Sequence, residues 1–144
     1  MHGKLQAFTL INLLQRPLSN LGLTHSRKIN QMSTFEHAEL IQNINECLTP
    51  FRKSQPDAMQ GFGQLARSAM AEGEVSTKHK ELIALAIGIT QHCSGCIGFH
   101  VKALLKLGCT RQELEEMLAV CVYMGGGPAL MYSAEAIKAW DTLA

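Results

Sequence analysis

The chain has 144 residues, of which 47% are hydrophobic and 17% charged; this is the size of one domain, with enough apolar material for a core under a lightly charged surface. A formal net charge of +1 excludes a broadly basic nucleic-acid surface, and the low charge fraction favours association with further copies. Cysteines at 47, 93, 96, 109 and 121 are odd in number and the core needs no staples, which argues against a disulfide framework and for a reducing, cytoplasmic setting.

Residues 1–31 hold Lys4, Arg16, Arg27 and Lys28 without an acid, so the rest of the chain is net acidic. The run "LQAFTLINLL" inside this segment is broken by polar residues and is far too short to span a bilayer; Arg16 follows it closely and no clean small-residue cleavage site is apparent. The segment reads as a basic extension, an arm, a targeting peptide, or sequence upstream of a start at Met32. Residues 32–144 read as the domain, with no membrane span expected.

From Met32 onward the punctuation predicts short helices. Ser33 or Thr34 can cap the first, with Glu36 or His37 near its first turn and Leu40, Ile41, Ile44, Cys47 and Leu48 along one face, before Pro50 stops it. A second helix starts at Pro56, with Asp57 in its first turn, and runs to about Ala71; Gly61 and Gly63 within it predict close packing or irregularity. Ser76 can cap a third, in which Leu82, Ile83, Leu85, Ala86, Ile87 and Ile89 surround the axis and predict a central position.

"CSGCIGFHVKALLKLG" continues as a fourth helix ending at Gly108. Thr110 and Glu113 have capping-box spacing ahead of a fifth, carrying Leu114, Met117, Leu118, Cys121 and Met124. "GGG" at 125–127 interrupts it, and Pro128 suits the start of a sixth through Met131, Ile137 and Trp140. The expected fold class is all-α, a helical bundle of about six helices. "MGGGP" lacks the strand, Lys and Ser/Thr of a phosphate loop and reads as a helix junction.

The chemistry concentrates in "ITQHCSGCIGFH", residues 89–100. On a helix, Cys93, Cys96 and His100 are spaced by three and four residues and share a face. Cys93 falls at the helix start, where unpaired amides stabilise a thiolate. Glu81 is the sole acid between Glu74 and Glu113 and leads an uncharged run into the core; a carboxylate drawn from water has a raised pKa and can exchange protons near neutrality.

Three readings of the CxxC stay open at this point: a redox dithiol, a metal site, or inert buried cysteines. Zinc prefers four ligands; His92, Cys93, Cys96 and His100 number four, but 92 and 93 are adjacent and diverge on a helix. Glu81 could instead be a first-turn charge serving its helix, and His100 a satisfied core histidine. Cys47, Cys109 and Cys121 read as core. Gly95 and Gly98 leave one side of the fourth helix bare, for a substrate, a thiol partner or a neighbouring helix.

At Glu81, Cys93, Cys96 and His100 the chain resembles the alkylhydroperoxidase AhpD-like proteins of the carboxymuconolactone decarboxylase superfamily: a glutamate, eleven residues, a CxxC, three residues and a histidine, all met by "ELIALAIGITQHCSGCIGFH". The likeness covers about residues 36–144 and is strongest from 78 to 124. It implies an AhpD-like helical bundle that assembles as a homotrimer or homohexamer. It also implies a thiol-dependent peroxidase acting on hydrogen peroxide or an organic hydroperoxide. In that chemistry Cys96 is the reactive thiolate, Cys93 the resolving cysteine, and Glu81 with His100 the proton relay. A dithiol reductant such as a lipoyl group or a thioredoxin-like protein would restore the pair, with no cofactor and no metal. The alternative is a thiol-disulfide exchange or redox-sensing protein without peroxidase turnover. One departure stands out: the best-known peroxidase members carry a histidine just before the second cysteine, where this chain has Gly95.

Overall fold

The computed structural model describes residues 37–144; the expectations for residues 1–31, and for a helix cap at Ser33 or Thr34, lie outside the described residues. The described residues form five helices, α1 (His37–Ser54), α2 (Pro56–Met70), α3 (Thr77–Thr90), α4 (Ser94–Lys106) and α5 (Arg111–Leu143). The fold is an all-α, five-helix bundle.

Its core is the three-way packing of α3, α4 and α5. Leu85 and Ile89 of α3, Ile97, Val101 and Leu104 of α4, and Leu114 of α5 are fully enclosed, joined by Leu118, Cys121, Ala136 and Trp140. Each large aliphatic side chain buried this way stabilises the fold by about 1.5–3 kcal/mol. Burial is also what holds the Cys109 and Cys121 thiols above the usual range, so both stay protonated and behave as small hydrophobes.

α1 lies on α4 and α5. Spacing by three and four residues aligns His37, Ile41, Ile44 and Leu48 in one inward stripe, with His37 and Ile41 buried. Cys47 falls at the edge of that stripe and is exposed, a correction to its expected core position. The helix also runs through Pro50 to Ser54. Proline there forfeits only the bond to the Glu46 carbonyl, and this stretch faces solvent, where water can take the freed oxygen.

α2 starts at Pro56 as expected but buries no residue. Among the described residues nothing approaches a Cβ position at Gly61, and only the Arg67 side chain approaches Gly63, so neither glycine serves close packing between these helices. α3 is central along one face only: Leu85, Gly88 and Ile89 are buried, while Ile83 and Ile87 are about half exposed.

The two last predicted helices are joined as α5, kinked at Gly126 with φ 63° and ψ −147°, a conformation open essentially to glycine alone. By length and composition α5 could cross a membrane, but the kink divides it into pieces shorter than the ~20 residues a span needs. Both pieces contribute to the protein core through Leu114, Leu118, Ala129 and Ala136.

Thr110 caps α5 with the predicted box: Glu113 N–H donates to Thr110 Oγ1 at 3.2 Å, and Thr110 N–H donates to Glu113 Oε2 at 2.7 Å. Lys78 Nζ also donates to Glu113 Oε1 at 2.6 Å, tying α3 to α5. The Lys78 ammonium and the Thr110 amide pull the Glu113 carboxyl down from the ordinary 4.5 to about 2. A depressed folded-state pKa contributes stability that is complete above the unfolded value and fades as pH falls through the folded one. Stability of the native protein should therefore drop between pH about 4.5 and 2 more steeply than that of Glu113→Gln, as followed by urea unfolding across that window.

Candidate active site

α3 ends in a tight hydrogen-bonded reversal. Cys93 N–H donates to Gly88 O at 2.9 Å and His92 N–H to Ile89 O at 3.1 Å, the paired bonds of a Schellman motif, with His92 in its left-handed position at φ 57°. Glycine is usual there, and a side chain costs roughly 1–2 kcal/mol. The His92 ring stacks on Tyr132 of α5 with centroids 4.6 Å apart and planes 14° from parallel. Such a stack contributes about 0.5–1.5 kcal/mol, which is enough to offset most of the strain.

Cys93 thus closes α3 and at once opens α4. It is the α4 N-cap, and its Sγ accepts the Cys96 N–H at 3.2 Å. Cys93 and Cys96 lie at disulfide distance, with Cα atoms 5.3 Å apart. An amide aimed at sulfur favours negative charge on it, so this geometry stabilises a Cys93 thiolate when the pair is reduced.

One turn beyond Cys96, His100 projects from α4 and meets Glu81 of α3: Nδ1 and Oε2 are 2.7 Å apart. The Glu81 side chain is 13% exposed and His100 30%. An ionised carboxylate can only accept, so with Glu81 charged the His100 proton sits on Nδ1 and Nε2 is left free to accept. Glu81 lies just past the first turn of α3, which contains no acid. Its charge is therefore directed at His100 and not at the helix N-terminus.

Of the sequence-predicted site residues, Cys93 and Cys96 are brought together in one turn, and Glu81 and His100 in one hydrogen bond. His92 is not turned toward the thiols as a fourth partner; it is exposed and held on Tyr132. Among the described residues no group of three or more His, Cys, Asp or Glu is placed to hold a metal ion.

The glycines on α4 receive a neighbouring helix. A Cβ at Gly95 would meet Ile44 Cδ1 at 2.9 Å, and one at Gly98 would meet Ile41 at 3.2 Å and the His37 ring at 3.4 Å. The space beside the residue that precedes Cys96 is therefore filled by α1. Behind it, His37 Nε2 and Glu135 Oε1, 3.2 Å apart, join α1 to α5.

Sequence reasoning missed Gly88, Ile44 and Tyr132. Gly88 had a faint signal, a lone glycine in an Ala- and Ile-rich helix; a Cβ there would come within 3.1 Å of Cys96 Cβ. Neither Ile44 nor Tyr132 had any signal beyond an apolar face. Cys96 is fixed by the helix and its bond to Cys93 and cannot yield, so Gly88→Ala should force α3 and α4 apart. We expect it to cost about 1 kcal/mol, or a Tm lower by about 3–6 °C, and to change the rate of Cys96 alkylation; calorimetry and thiol labelling measure the two effects.

Comparison with known proteins agrees with this architecture. Residues 56–139 match the Carboxymuconolactone decarboxylase family. An uncharacterised protein of Cupriavidus necator is 35% identical over 103 residues, 72% of this chain and 91% of its own length; one of Haemophilus influenzae is 36% identical over 104 residues, again 72% and 91%. The crystal structure of an apo carboxymuconolactone decarboxylase family protein from Legionella pneumophila is 47% identical and superposes with a TM-score of 0.73, covering 74% of this chain and 96% of that one. With its helical bundle and paired cysteines, this chain belongs to the carboxymuconolactone decarboxylase family.

Proposed function

We propose that this chain is an AhpD-like, thiol-dependent peroxidase that reduces hydrogen peroxide or an organic hydroperoxide through Cys93 and Cys96. The observation that carries the reading is the 2.7 Å contact between His100 Nδ1 and Glu81 Oε2, one helical turn from a cysteine pair at disulfide distance. A chance CxxC needs no such partner.

In the proposed cycle, His100 Nε2 takes the Cys96 thiol proton while Glu81 stabilises the imidazolium that forms. The Cys96 thiolate attacks the distal peroxide oxygen and the O–O bond breaks. Sulfur becomes a sulfenic acid, and the departing alkoxide or hydroxide takes the relayed proton to leave as alcohol or water. Cys93 then attacks the Cys96 sulfur, releasing water and closing the disulfide. An external dithiol, such as a lipoyl group or a thioredoxin-like protein, attacks Cys96; Cys93 leaves as a thiolate, which suits the amide at its sulfur. The second reductant thiol then closes its own disulfide and frees Cys96.

The alternative, thiol-disulfide exchange or redox sensing without peroxide turnover, is favoured by Gly95, where Ile44 fills the space of an imidazole. Assembly belongs to the same reading. α2 buries nothing while presenting Phe62 and Leu65, and Ile83, Val120, Tyr123 and Met124 are also exposed, surfaces that a homotrimer or homohexamer would cover. Three unpaired cysteines, Cys47, Cys109 and Cys121, suit a cytoplasmic setting.

The test is peroxide consumption by the purified protein with dihydrolipoamide. The native chain should turn over many equivalents, and Cys96→Ser should lose at least about a hundredfold in rate, in line with loss of a covalent nucleophile. Reversible dithiol cycling without peroxide loss would instead establish the exchange reading.

A further inference from the structure

We infer that Tyr132 is a positioning residue for the dithiol, acting through His92: its ring holds His92 in the left-handed conformation that sets where Cys93 leaves α3 and enters α4. This rests on the dithiol reading of Cys93 and Cys96.

Four observations converge. His92 is the one non-glycine residue with positive φ among those described, at 57°, and it immediately precedes the first cysteine. Its ring is stacked on Tyr132 at 4.6 Å. Tyr132 is partly buried and packed against the core cluster, so it is a fixed platform for an exposed ring. The backbone that His92 bends belongs to Cys93, whose N–H is bonded to Gly88 O and whose Sγ accepts the Cys96 N–H.

If His92 relaxed to negative φ, the Cys93 N–H would leave Gly88 and its sulfur would no longer sit over the α4 amide. Two sulfurs that spend less time in bonding geometry have a lower effective concentration for each other, so the disulfide becomes easier to reduce. The influence of Tyr132 passes through one backbone torsion, that of His92.

The experiment is the equilibrium of the full-length protein with dithiothreitol redox buffers, read by thiol labelling. Tyr132→Ala should lower the constant for closing the Cys93–Cys96 disulfide by about three- to tenfold, or about 15–30 mV, and Tyr132→Phe, which keeps the stack, by less than about twofold. In a His92→Gly background, where the left-handed turn needs no platform, the Tyr132→Ala loss should shrink to less than about twofold. His92→Val leaves the core intact and should reproduce the Tyr132→Ala loss, because a β-branched residue resists positive φ. An unchanged constant in Tyr132→Ala or His92→Val, or an equal Tyr132→Ala loss in both backgrounds, overturns the inference. A native pair that never cycles with dithiothreitol overturns it together with the dithiol reading, whereas cycling without peroxide consumption removes only the peroxidase reading.

Discussion

The hydrogen bond from Cys93 N–H to Gly88 O is the constraint on which the rest of the site depends. It ends α3 within residues 91–93 and leaves Cys93 already in place as the first residue of the next capping arrangement. With so short a connection α4 must pack back against α3, and Gly88 lets the backbones approach until Cys96 touches the α3 surface. That approach brings Glu81 to His100. A longer or looser turn would keep both cysteines but lose the register between carboxylate and imidazole.

The site also combines two electrostatic arrangements, one at the Cys93 sulfur and one a helical turn beyond Cys96. A helix-start amide faces Cys93, whereas His100 stands one turn beyond Cys96 with Glu81 behind it. Partial withdrawal of the Glu81 carboxylate from water strengthens its hold on the imidazole. In the proposed cycle the first would favour a leaving thiolate, and the second would take a proton from a thiol. Such a division of labour would suit the proposed cycle, in which one sulfur is oxidised and the other released. The α1 stripe completes the enclosure, since Ile44 and Ile41 occupy the bare side of α4 that Gly95 and Gly98 leave.

Much of this was legible in the chain because it is local. Ser76 and Thr110 cap their helices, Pro56 opens α2, and the three-and-four spacing of Cys93, Cys96 and His100 defines a helix face from sequence alone. The contact of Glu81 with His100 needed a tertiary assumption, since periodicity places each residue on its own helix but says nothing of their meeting. Pro50 does not end α1 and Cys47 is not in the core, because helix breaking and burial depend on which side faces water. Gly61 and Gly63 suggest close packing or irregularity, and among the described residues only the Arg67 side chain comes near either. The stack of His92 on Tyr132 joins residues forty positions apart, and no pattern in either segment announces it.

The most direct measurement of the central claim, that Glu81 acts on the dithiol through His100, is the rate of Cys96 alkylation as a function of pH in the reduced protein and in its Glu81→Gln variant. Glutamine keeps the shape and a hydrogen bond but not the charge that favours the imidazolium. If Glu81 acts this way, the variant's profile is displaced by roughly one pH unit and its rate is about tenfold slower near neutrality. Superimposable profiles would contradict it and return Glu81 to the role of a structural partner for His100.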